Sequence, residues 1–265
     1  MSVDFAEYDA VLLDLDGTVY HEDHPLPGAV QLIARLQHEG RKFACLSNST
    51  TSPARVLGRL RSMGIDMDGD RIYTAGAAAV DYVLDRFCQP GRRPRVYNLA
   101  TQGVQELLQG RADGVGGDEP SCDAVIIGAP ANRYATADRQ RTALVLLRGG
   151  AAAVGICADR VYPSPRGLEF GSGALSLMLG YAAGVEPIFC GKPQRIFFDE
   201  LCRRLGVSPQ RCILIGDNLE ADVAGAKGVG MRTILTLSGV TRREELVDLP
   251  PDQQPDYIIT DLRQL

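Results

Sequence analysis

Three short apolar segments of this chain each break off at polar residues, and that pattern constrains the fold more than any other feature. Ala10-Val-Leu-Leu runs into Asp14, the segment from Lys42 runs into Ser47-Asn48, and Cys212-Ile-Leu-Ile-Gly runs into Asp217. Short apolar runs bounded in this way fit strands buried on both faces of a parallel sheet. Helical stretches flank these segments, two following the first two and one preceding the third, which is itself followed by a short helix ending near Gly228 or Gly230. Pro27-Gly28 introduces Ala29 to Glu39, with a stripe at Leu32, Ile33 and Leu36 and a stop at Gly40; Pro53 to Met63 stops at Gly64; Pro193 to Leu205 opens on proline and stops at Gly206. Further strands are expected at Thr233–Leu237 and Tyr257–Thr260. Alternating strands and helices predict an α/β fold built on a doubly wound parallel sheet.

The middle of the chain has the same grammar but forms a separate run. Helices are expected near Ala77–Phe87, Gln102–Gln109, Ala137–Leu147 and Ala174–Ala183, and strands at Arg95–Leu99, Ala124–Gly128 and Ala152–Cys157. The Gly- and Arg-rich stretches 90–94 and 110–117 read as loops. We therefore expect residues 1–76 and 186–265 to form a core and residues 77–185 to form a second α/β domain inserted into it. A length of 265 residues suits one large domain or two modest ones.

Composition removes several functions. A net charge of −5 argues against a general nucleic-acid binder, and no apolar run is long enough for a membrane span. The seven cysteines are scattered without a CxxC pair, as expected of reduced thiols rather than a disulfide framework or a zinc site. The start, MSVDFAEYDA, lacks the layout of a signal peptide, so a cytoplasmic location is expected. The three histidines all lie in the first forty residues, and HExxH, GxSxG and GxxxxGK[ST] motifs are missing. Carboxylates must then carry much of any acid–base or metal chemistry.

Ligands of open α/β sheets sit beyond the carboxyl ends of the strands, where Asp14-Leu-Asp16-Gly17-Thr18, Ser47-Asn48 and Asp217-Asn218 fall. Gly17 permits a sharp turn and close approach of a ligand. A single strand-ending Asp-Gly is usually only a turn; three polar strand ends in one sheet point to a shared site. Lys192, in Gly191-Lys192-Pro193, stands before a helix whose free N–H groups favour an anion. Asp222 lies in the first turn of the helix after Asp217, either stabilising the helix dipole or supporting a metal or Lys192.

In this order these residues resemble the haloacid dehalogenase-like (HAD) phosphohydrolases over nearly the whole chain. Asp14-Leu-Asp-Gly-Thr resembles the family's first motif, Leu46-Ser47-Asn48 the second, Lys192 in Gly-Lys-Pro the third, and Gly-Asp217-Asn-Leu-Glu-Ala-Asp222 the fourth. The position of the insert resembles a type II cap, and Gly216 to Thr241 is similar to the NagD and 4-nitrophenylphosphatase branch. The resemblance implies that Asp14 attacks phosphorus and forms an aspartyl phosphate, and that Asp16 protonates the leaving oxygen and then activates water. It implies that Ser47, Asn48 and Lys192 hold the phosphoryl oxygens, and that Asp14, the Asp16 carbonyl and Asp217 bind Mg2+. An acid at Asp16 also separates a phosphatase from a dehalogenase, since a leaving halide needs no proton.

The insert departs from the branch. A Thr-Asn-Pro-Asp-like stretch is replaced by Ile156-Cys157-Ala158-Asp159, an acidic residue is missing from the run after Gly128, and Gln194 follows Lys192-Pro193 in place of a small residue or proline. Asp159 and Tyr162, in a loop leading back through Pro163, Pro165 and Gly171, are expected to set substrate preference. Gly171-Ser-Gly173 is read as a helix start, Gly228-Val-Gly230 as a helix end, and Arg133, Arg139, Arg141 and Arg148 as a solvated face. The expected function is hydrolysis of a small-molecule phosphate ester: a sugar phosphate, nucleoside monophosphate, phosphoglycolate, glycerol phosphate or pyridoxal phosphate, with 4-nitrophenyl phosphate as an artificial substrate. The alternatives are a phosphosugar phosphotransferase or mutase, and a non-catalytic phosphometabolite sensor. Oligomeric state stays open, a homodimer among the options.

Overall fold

The structure is a computed structural model that describes residues 3–117, 119–130, 133–164, 167–247 and 249–265. It divides into two compact units, one of residues 1–47, 53–73 and 192–265, the other of residues 48–52 and 74–191.

The first unit holds a six-stranded sheet in the order Tyr257–Ile259, Arg232–Thr236, Cys212–Gly216, Ala10–Asp14, Phe43–Ser47, Ile72–Thr74. The first five run parallel. The two central strands are buried at every position, as their unbroken apolar runs require. Register then lines up their ends. Leu13 is level with Ile215 and Asp14 with Leu46, so Asp14, Ser47 and Asp217 emerge along one edge. After Ala10–Asp14 the chain adds strands on one side and later returns to the other, so the winding reverses between Ala10–Asp14 and Cys212–Gly216. Such a switch point opens a crevice, and Asp14 and Asp217 stand at its mouth.

Helix Ala29–His38 covers the sheet through Ala29, Leu32, Ile33 and Leu36, spaced to share one face. They pack with Val11, Leu13, Phe43, Ile213 and Ile215 in the core. The helix expected from Pro193 begins instead at Arg195 with Gln194 as its cap residue, so Lys192 is three residues removed from it. Beyond Asp217, the turn Leu219–Ala224 is wound wider than an α-helix: both Asp222 N–H (3.0 Å) and Val223 N–H (3.1 Å) donate to the Asn218 carbonyl. Wide turns of this kind recur at functional sites.

The second unit is a parallel five-stranded sheet, ordered Ile188–Phe189, Ala152–Gly155, Ala124–Ile127, Arg95–Leu99, Asp113–Gly114. Helices Ala75–Phe87, Gln102–Leu108, Ala137–Arg148 and Ser172–Ala183 accompany it, with a core of Tyr97, Leu99, Val125, Ile127, Leu146, Leu147, Leu175 and Leu179. Its limits differ from the 77–185 expected. It reaches 191 because Ile188–Phe189 pairs with Val154–Gly155, and it takes in 48–52 because Thr101 Oγ1 donates to the Thr50 carbonyl (2.8 Å) and Ser52 Oγ to Glu106 (3.0 Å). Two-residue strands such as Asp113–Gly114 are too short to show periodicity.

The strand expected to reach Cys157 ends at Gly155, and Tyr162 lies not in a loop but in an antiparallel ribbon, Val161–Ser164 paired with Gly167–Phe170. Both strands of a two-stranded ribbon are edges, where proline is tolerated. Pro165, Ala131 and Asn132 lie outside the described residues. Arg139 is not merely solvated: it donates to the carbonyls of Asn98 (2.6 Å) and Tyr134 (2.8 Å) and lies over the Tyr97 ring. Among the described residues no helix is long and apolar enough to cross a membrane.

Candidate active site

Four charged side chains meet at the switch point of the first sheet: Asp14, Lys192, Asp217 and Asp222, with exposures of only 6, 3, 3 and 1%. Lys192 Nζ donates to Asp14 Oδ1 and, at 2.6 Å, to Asp222 Oδ1. The Asn218 N–H donates to Asp222 Oδ2 at 3.2 Å, so both oxygens of Asp222 are committed. Asp222 therefore stands behind Lys192, and the wide turn brings it there. Gly216 is required for this approach, because a Cβ at that position would lie 2.5 Å from the Asp222 carboxylate.

Asp217 is held from the opposite side by the loop after strand Arg232–Thr236. The Val240 N–H donates to Asp217 Oδ2 at 2.7 Å, and the Thr241 N–H to the Asp217 carbonyl at 3.3 Å. Ser238 Oγ ties the same loop to the Gly17 carbonyl at 2.8 Å. Two glycines make room for the carboxylate. A Cβ on Gly239 would sit 1.9 Å from Asp217 Oδ2, and one on Gly17 2.3 Å from it; Gly17 also has a φ of +85°.

Electrostatics set the character of the cluster. Burial, with the like charges of Asp222 and Asp217, pushes Asp14 well above the usual carboxylate range despite the opposing pull of Lys192. Burial pushes Asp217 up to about 6, against the stabilising Val240 N–H and with the Asp222 charge adding to the rise. Burial alone would lower Lys192, but Asp14 and Asp222 more than offset it and hold the ammonium above its ordinary range. One ammonium against three carboxylates leaves an excess of buried negative charge. Oxygens of Asp14, Asp217 and Asp222 lie within 4.8 Å of one another, a hard-donor set that fits a divalent cation such as magnesium. With Asp222 committed, Asp14 and Asp217 are the carboxylates that fit it.

The other expected residues are less closely gathered. Ser47 is buried at the end of its strand. Asn48 groups with the second unit, where its Oδ1 lies 2.8 Å from the place a Cβ on Gly191 would take. Asp16 is exposed and accepts a hydrogen bond from the Tyr20 hydroxyl at 3.1 Å. In the second unit, Cys157 Sγ donates to Asp159 Oδ2 at 2.9 Å on this otherwise exposed carboxylate, and the Gly173 N–H holds the Asp159 backbone carbonyl at 3.0 Å. Sequence reasoning missed Ser238, Gly239, Val240 and Tyr20. Their signal was faint: a Ser-Gly pair just past a strand, and a tyrosine four residues after Asp16.

A family model for haloacid dehalogenase-like hydrolases matches residues 11–112, and a HAD-hydrolase-like model matches residues 189–265. An acid sugar phosphatase of Staphylococcus aureus is 31% identical over 97% of this chain and 96% of its own. The structure of a 4-nitrophenylphosphatase from Thermotoga maritima is similar with a TM-score of 0.87 at 27% identity, covering 98% of this chain and 97% of the other. A glycerol phosphate phosphatase from Mycobacterium tuberculosis, solved in complex with magnesium, gives 0.86 at 28% identity, covering 98% of this chain and 78% of the other. The chain belongs to the haloacid dehalogenase-like hydrolases. Within that family it is a phosphatase, similar to the 4-nitrophenylphosphatases.

Proposed function

We propose that this phosphatase hydrolyses small-molecule phosphate monoesters through an aspartyl phosphate on Asp14, with Mg2+ held by Asp14, the Asp16 carbonyl and Asp217. The observation that carries the reading is the buried pairing of Asp14 with Lys192, itself anchored by Asp222. A carboxylate that must approach an anionic phosphate needs fixed positive charge beside it. When bound, the metal ion neutralises charge on the phosphoryl oxygens.

The chain's own residues divide the reaction in two. A carboxylate oxygen of Asp14 bonds to phosphorus as the ester P–O bond breaks, and Asp16 gives its proton to the leaving oxygen. Asp16, now a carboxylate, takes a proton from water as that water bonds to phosphorus and the P–O bond to Asp14 breaks. Both aspartates are then restored. Lys192, Ser47 and Asn48 hold the phosphoryl oxygens, and Asp222 orients Lys192. Chelation is expected to abolish phosphate release from 4-nitrophenyl phosphate, and magnesium to restore it; undiminished release in excess chelator would overturn the metal assignment. Gly239→Ala leaves every charge in place but crowds Asp217. It should raise the magnesium needed for half-maximal activity by about tenfold or more, since misplaced ligands weaken metal sites by such factors.

The substrate class is a phosphorylated metabolite such as a sugar, glycerol or nucleoside phosphate, in keeping with the relatives' range. The core residues contact only the phosphoryl group that all these esters share, so preference must come from groups that meet the rest of the molecule. In this reading the second unit acts as a cap, and Asp159 and Tyr162 supply those groups. Asp159→Ala and Tyr162→Ala should reorder kcat/KM among phosphorylated metabolites while leaving 4-nitrophenyl phosphate within about tenfold. An unchanged metabolite profile in both variants would place specificity elsewhere.

A further inference from the structure

Asp16 is exposed on a turn whose neighbouring residues are buried; an unsupported carboxylate there would rotate freely, yet a proton donor must present one oxygen to the leaving group. Its side-chain hydrogen bond among the described residues comes from the Tyr20 hydroxyl, which donates to Oδ2 at 3.1 Å. We infer that Tyr20 is a positioning residue for the proton transfer, fixing Asp16 so that Oδ1 faces the leaving oxygen. The inference rests on the reading of Asp16 as general acid.

Tyr20 is itself firmly held. Only 2% of it is exposed. The Tyr20 carbonyl accepts from the Gly17 N–H (2.8 Å), and its own N–H donates to the Leu15 carbonyl (3.1 Å), closing the turn that carries Asp16. The Arg59 guanidinium lies 4.5 Å from the centre of its ring, and Arg59 is in turn tied to the Glu22 carbonyl at 2.7 Å. The hydroxyl thus arrives at Asp16 from a rigid frame. A hydrogen bond to Oδ2 occupies that oxygen and leaves Oδ1 as the atom that carries the transferable proton. In the transfer the Oδ1–H bond breaks, the new O–H bond forms on the leaving oxygen, and its P–O bond to phosphorus breaks; Tyr20 keeps its own proton throughout.

Tyr20→Phe removes the hydroxyl and keeps the buried ring. The test measures single-turnover rates with an alkyl phosphate, whose leaving oxygen needs a proton, and with 4-nitrophenyl phosphate, whose leaving group largely does not. The variant should lose about tenfold in rate on the alkyl phosphate, with KM and the nitrophenyl rate within about twofold, the scale set by one hydrogen bond to a charged group. In an Asp16→Asn background the same substitution should add nothing further. Equal losses on both substrates, or a full Tyr20→Phe loss that persists without the Asp16 carboxylate, would overturn the positioning role while leaving Asp16 as the acid. If Asp16→Asn itself fails to discriminate between the substrates, the reading of Asp16 as the acid falls, and the role of Tyr20 falls with it.

Discussion

Replacing Asp14 with asparagine is expected to reduce turnover by at least about 10,000-fold, because in the proposed mechanism the Asp14 carboxylate forms the covalent intermediate. The same change should not unfold the protein. Asp14 is buried beside two other carboxylates, and its carboxyl is held well above its ordinary range. A carboxyl whose folded value exceeds its unfolded one opposes folding once it is ionised, so at neutral pH the Asp14 charge works against the metal-free fold. Asparagine removes that charge and leaves Lys192 paired with Asp222. In chelator, the thermal midpoint of Asp14→Asn should therefore equal or exceed that of the parent. A lower midpoint together with lost activity would mean that the residue is structural.

Lys192→Ala should have the opposite signature, losing both activity and stability. It removes the ammonium that faces Asp14 and Asp222, each less than a tenth exposed. Breaking a buried ion pair from one side costs about 3–5 kcal/mol, because the partner charges stay buried. The deficit should depend on pH. Without the ammonium, the carboxyls bind protons more readily in the folded state, and protonation relieves their repulsion. The gap between variant and parent in chemical denaturation should thus narrow as pH falls from neutral into the acid range. A gap that is constant between neutral and mildly acid pH would show that the loss reflects packing rather than charge.

The residues that announced themselves in the sequence did so because backbone direction and side-chain chemistry coincided. A strand buried on both faces is an unbroken apolar run, and a carboxylate or hydroxyl directly after it must lie at the sheet edge. That reasoning singled out Asp14, Ser47 and Asp217, and the strand register brings them to one edge of the sheet, Asp14 level with Leu46 and Ser47 one residue further on. Lys192 was harder. Its neighbourhood predicted a helix start, but the helix opens later, and its partners Asp14 and Asp222 are 178 and 30 residues away in sequence. No local pattern encodes such a pairing. The supports of Asp217 were illegible for another reason: Val240 contributes only a backbone N–H, and Gly239 contributes the absence of a side chain. The second sheet was legible only in its longer strands. Ile188–Phe189 becomes a strand through its pairing with Val154–Gly155, and the Val161–Ser164 ribbon was hidden by its proline.

The covalent role of Asp14 is the claim on which the mechanism depends, and trapping the intermediate tests it most directly. Asp16→Asn is the suitable background: with 4-nitrophenyl phosphate the first step needs little acid assistance, whereas the second lacks its base, so the phosphoenzyme accumulates. Acid quenching and borohydride reduction convert an aspartyl phosphate to homoserine, which peptide mass spectrometry locates. The account predicts homoserine at position 14. Homoserine at a different aspartate, or at none while nitrophenolate is released in a stoichiometric burst, would contradict it.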